Sequence, residues 1–214
     1  MATGTRQRLL DAALRAFAEQ GVGTASLVDI TRRAGQRNRG AVHYHFGGRA
    51  GLLVAVLEDQ AGFLAEREGE LLGLARRTPS DDVASVVEAI VRPAVELAET
   101  GWRGGAYLAI VGQLVEQDQA TLSDEVAAAL RHTGGYDVFD VLAERLPAMD
   151  DALRDERFAL VTAYILGSVA RRARASGRQG RPQLPSERFV ANLVQTAAAM
   201  LAAPVPAIDV KETS

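Results

Sequence analysis

Cysteine is absent from the 214-residue chain. Its absence excludes disulfide scaffolds, thiolate zinc sites, iron–sulfur clusters and cysteine nucleophiles, and it fits a reducing compartment such as the cytoplasm. Lysine occurs once, at Lys211, a bias that genome composition accounts for. The N-terminal stretch lacks the apolar core of a signal segment. The richest apolar stretch, 189–208, is broken by Asn192, Gln195, Pro204 and Pro206, so no membrane span is expected. Period-2 alternation never lasts, which argues against strands. No internal repeat is present, and no glycine-rich phosphate loop follows a strand. No spacing among the 27 acidic residues singles out a catalytic pair. An enzyme is therefore not expected, and no cofactor is expected either.

What remains is the composition of a globular protein, 48% hydrophobic and 24% charged. The net charge of −3 alone speaks against a nucleic-acid binder, but it is unevenly spread. Residues 1–50 carry eight arginines against three acidic residues, or +5, which leaves −8 on the other 164. A small basic segment on a larger acidic body points to two tasks on one chain.

Apolar spacing predicts helices over 5–20, 27–34, 40–46, 49–77, 82–99, 107–117, 122–131, 137–146, 151–175 and 186–203. The expected fold is all-α, with about nine helices in total: a three-helix head and a larger helical body. Pro93 is expected to kink or shift one of them. Ser26 caps the second helix, and Asp29 stands where its carboxylate can reach back to unpaired N–H groups. On the short helix 40–46, Val42 and Phe46 share one face, and Tyr44 lies opposite. So short a helix cannot stand alone. Its outward aromatic and basic groups suit nucleic-acid recognition in a helix-turn-helix. The pair His43 and His45 would point about 200° apart, without a third ligand, so no metal site is expected.

In the order Ser26-Leu27-Val28-Asp29-Ile30, Arg33-Ala34-Gly35, Gly40-Ala41-Val42-His43-Tyr44-His45-Phe46, Arg49 and Leu52-Leu53, the chain resembles the TetR family of bacterial transcriptional regulators. Two departures stand out. The turn Gln36-Arg37-Asn38-Arg39 is one residue longer than usual, and His43 replaces the customary tyrosine. The resemblance implies that Ser26 offers its hydroxyl to a phosphate, and that Arg39, Ala41 and Tyr44 face base edges. It further implies that His43, His45 and Arg49 grip the backbone, with Arg37 and Thr24 as weaker phosphate contacts.

The implied division is a DNA-binding domain over 1–48, a sensing and dimerising domain over 49–203, and a flexible tail over 204–214. In the family the middle helices enclose a ligand pocket; the residues expected to line it here are Trp102, Tyr107, Gln113, His132, Tyr136 and Phe139. The last two helices are the dimer candidates, through Leu160, Tyr164, Gly167, Ser168, Val190, Leu193, Val194, Ala197 and Leu201. Each stripe could equally be intramolecular core. The implied partners are a palindromic double-stranded operator, a small-molecule effector of unknown identity and a second copy of the chain. A helical adaptor without sequence-specific DNA binding is the alternative; it leaves the basic segment unexplained.

Overall fold

The computed structural model describes residues 2–117, 121–175 and 183–205. Within them the chain forms ten α-helices and no strand. The head comprises α1 (Ala2–Gln20), α2 (Leu27–Arg33) and α3 (Ala41–Phe46). The body comprises α4 (Arg49–Ala75), α5 (Val83–Glu99), α6 (Trp102–Val115), α7 (Asp124–Arg131), α8 (Tyr136–Arg145), α9 (Asp151–Ala175) and α10 (Ser186–Leu201). Residues 176–182, between α9 and α10, and the tail from 206 lie outside the described residues. No helix among the described residues is long and apolar enough to cross a membrane.

The head's core is built from Leu9, Ala13 and Phe17 of α1, all fully buried, with Ile30 of α2 and Val42 of α3. The long helix α4 leaves the head and packs along α5 and α7 in the body, and α1 lies on both α4 and α6. One helix departs from sequence expectation. Gly104 and Gly105 do not delay α6, which begins at Trp102 instead of 107. A Cβ on Gly104 would sit 1.8 Å from the Leu97 carbonyl, and one on Gly105 would sit 2.9 Å from Ala173 Cβ. These glycines are close-approach positions that seat α6 against α5 and α9, not breakers. Pro93 falls inside α5, which continues through it. The lost hydrogen bond is tolerated where Pro93 is buried among the body's helices.

Candidate nucleic-acid interface and body cavity

The turn between α2 and α3 is closed by its own backbone. Gly35 takes a φ of 69°, the Gln36 N–H donates to the Thr31 carbonyl at 3.0 Å, and Asn38 Oδ1 accepts the Gly40 N–H at 2.9 Å. Four residues fit between Gly35 and Gly40 this way, and Arg37 and Arg39 are left exposed. Helix α3 buries Val42, and Phe46 is half-buried with the Arg6 guanidinium 5.0 Å above its ring. Tyr44 projects outward at 84% exposure, its ring edge-on to His45 at 5.0 Å. His43 is exposed and His45 half-buried. Ser26 Oγ accepts the Asp29 N–H at 3.4 Å while remaining exposed, and the exposed Thr24 hydroxyl donates to the Gln20 carbonyl.

Three head residues behave differently from expectation. Ala41 is only 5% exposed. It falls about 100° from Val42, within the arc that neighbouring helices cover, so it does not reach a base edge. Arg49 donates to the carbonyls of Val22 at 2.7 Å and Ala25 at 2.6 Å. Its guanidinium clamps the start of α4 to the α1–α2 loop, and a phosphate would have to compete for it. The Asp29 carboxylate binds Arg32 at 2.5 Å and Arg33 at 2.7 Å instead of turning back to the helix start. The hydrogen bond from Arg32, joined by Arg33, holds its pKa below the usual carboxylate value.

The body contains a cavity of about 300 Å³ bounded by α4, α5, α6, the α7–α8 junction and α9. Its wall is mostly apolar: Ile90, Leu108, Val111 and Leu166 face the Phe139 and Phe158 rings, which pack 4.8 Å apart. Three polar side chains interrupt it, Glu68, Thr133 and Thr162. The Glu68 carboxylate accepts the Gly135 N–H at 2.7 and 2.8 Å. Burial raises its pKa to about 7, opposed by that hydrogen bond and assisted by the charge of Asp137. Thr133 donates to the Leu130 carbonyl and Thr162 to the Phe158 carbonyl, both at 2.7 Å.

Of the six residues expected to line a pocket, Phe139 does so. Trp102 lies half-exposed under the Arg15 guanidinium, 3.6 Å from its ring. Tyr107 is fully buried, and its hydroxyl donates to the Leu57 carbonyl at 3.0 Å. Burial raises its pKa. Gln113 points to the head, its Oε1 accepting the Val22 N–H at 3.1 Å. His132 ends α7 at the surface, and the Tyr136 side chain lies outside the described residues. Tyr107 and Gln113 bridge neighbouring parts of the chain instead of facing the cavity. Glu68 was missed, although it stands four residues from both Leu64 and Leu72, which are buried. A carboxylate on a buried stripe was the available clue.

The α9 residues of the expected dimer stripe are accessible: Leu160 is 54% exposed, Gly167 is exposed, and Tyr164 and Ser168 are half-buried. The α10 residues are not. Val190, Leu193, Val194, Ala197 and Leu201 are all buried within this chain, where α10 packs on α5 and α9. Gln195, Thr196, Ala199 and Met200 form the outward face of α10 instead, and Thr196 Oγ1 lies 3.0 Å from the Tyr164 hydroxyl.

Residues 9–56 match the model of bacterial regulatory proteins of the tetR family. Residues 88–200 match the tetracyclin repressor-like C-terminal domain. The chain is 30% identical to the HTH-type transcriptional regulator AcrR of Shigella flexneri over 176 residues, covering 76% of this chain and 75% of that protein. It is 55% identical to the regulator SrpR of Pseudomonas putida over 53 residues, a quarter of this chain and 24% of that one, so this match speaks for the head alone. The fold is shared with the transcriptional regulator FadR from Bacillus subtilis, crystallised with stearoyl-CoA. That structure has a TM-score of 0.57 and 14% identity, and covers 94% of this chain and 99% of FadR.

Proposed function

The chain belongs to the TetR family of bacterial transcriptional regulators, and from that premise we propose that it is a cytoplasmic homodimeric repressor released from its operator by a small molecule. The observation that carries this reading is the outward face of the head: Tyr44 at 84% exposure, beside exposed His43, Arg39 and Arg37. Tyr44 and Arg39 read bases, the two histidines and Arg37 contact the backbone, and Ser26 binds phosphate at the α2 entrance, where Thr24 joins it by turning its hydroxyl from the Gln20 carbonyl. The head, 1–48, acts in pairs on half-sites about 34–36 Å apart, because one module makes too few contacts for strong specificity. The exposed α9 residues Leu160 and Gly167 and the half-buried Tyr164, with the outer face of α10, pair the two bodies, 49–203. No catalytic step is part of this reading.

Release begins in the cavity. Helix α6 contributes Leu108 and Val111 to its wall and carries Gln113 and Arg103 toward the head. Arg103 binds Asp59 of α4 at 2.8 Å and also Asp11 of α1. A ligand that favours another placement of α6 therefore displaces α1 and α4 together. A coupling of about 1–3 kcal/mol changes operator affinity about 5–150-fold.

Selection of bound sequences from random duplexes, followed by footprinting, tests the reading. A palindrome protected on both half-sites is expected. The adaptor alternative predicts no discrete footprint.

A further inference from the structure

The cavity wall is one-sided in its hydrogen bonding. Thr133 and Thr162 each commit their only hydroxyl proton to a main-chain carbonyl, at 2.7 Å. Toward the cavity they therefore offer lone pairs alone. The Glu68 carboxyl accepts from the Gly135 N–H at its back. No arginine, lysine or histidine lines the wall among the described residues. An anion entering here would meet no cation, and a like charge wherever Glu68 is ionised. A ligand bringing N–H donors and a positive charge would satisfy every polar side chain present, and the Phe139 and Phe158 rings attract cations as well.

We propose that the cavity takes a hydrophobic ammonium, with its charged nitrogen on Glu68 and its apolar body against Leu108, Val111 and Phe158. This rests on the cavity being the effector site. Burial already pushes the Glu68 carboxyl up to about 7, so the arriving cation supplies a missing counter-charge. The cavity volume of about 300 Å³ suits a small amphiphile, with no extra room for a large polar headgroup.

Calorimetric titration of the full chain with decylammonium, decanol and decanoate isolates the charge, since the three share one apolar tail. Decylammonium is expected to bind at least tenfold tighter than decanol, and decanoate weakest. Glu68→Gln, neutral and nearly isosteric, is expected to bring decylammonium down to the level of decanol. Equal binding of decylammonium and decanol, tighter binding of decanoate, or no decylammonium binding to the folded protein overturns the proposal. The comparison on the unaltered chain decides even where the variant does not fold. Operator release is read separately by fluorescence anisotropy. Decylammonium binding without release would leave the ligand class standing and overturn the effector role of the cavity.

Discussion

Head and body hold their functional groups by opposite means. In the head, a six-residue helix presents Tyr44 to solvent and has no stability of its own. Its position is borrowed from α1, α2 and α4. In the body, a lone carboxylate is turned inward among apolar helices, and its ionisation is suppressed by the same packing that encloses it. The head therefore depends on anchors behind the exposed face, whereas the body depends on what is missing from a wall. Arg49 is where the head is most easily broken. Arg49→Ala removes two charge-assisted bonds, to Val22 and Ala25, at a cost of about 2–4 kcal/mol. The melting temperature is expected to fall, and affinity to fall for all duplexes alike. The slope of binding against salt is expected to stay unchanged, because the clamp faces carbonyls. A slope lowered by about one unit would return Arg49 to the phosphate contacts.

Tyr44 sharpens the comparison from the other side, because it projects into solvent with its ring edge-on to the neighbouring His45. Tyr44→Ala is expected to leave thermal stability unchanged and to lower specific binding by about 1–3 kcal/mol. Binding to random duplex should barely change. Competition anisotropy at fixed salt measures both quantities, and equal losses on specific and random duplexes would remove Tyr44 from base reading.

The contrast also explains which parts could be read from the sequence. Helix 40–46 was legible with its inward Val42 and outward Tyr44, because both follow from one local angle. The long turn was legible for the same reason, since Gly35 and Asn38 close it without distant partners. The Arg49 clamp was not legible because its partners, Val22 and Ala25, lie more than twenty positions away. The cavity was illegible at a deeper level. Its wall draws on five regions of the chain, and a void is a property of how they meet. The α10 stripe was read correctly as apolar, but periodicity does not say which surface covers it. Here the surface is α5 and α9 of the same chain.

The smallest expected effect tests the body's side of the contrast, and its sign follows from Glu68 alone. Folding raises this carboxyl from its ordinary value of 4.5 to about 7. Between those values the folded chain holds a proton that the unfolded chain has released. Stability therefore declines as pH rises through that window, and is level below and above it. Glu68→Gln cannot release a proton. The difference in melting temperature, unaltered chain minus variant, should thus shrink between pH 5 and pH 7.5. The partly open cavity lets solvent screen the charge, so the change is on the order of 1–2 kcal/mol, or roughly 2–8 °C for a chain of this size. Other titrating groups cancel in the difference, except Asp137, whose charge acts directly on Glu68. Asp137→Asn should lower the midpoint of the decline without abolishing it. A difference that stays flat across the window would mean that Glu68 is ionised throughout, and that the body, like the head, keeps its charges in water.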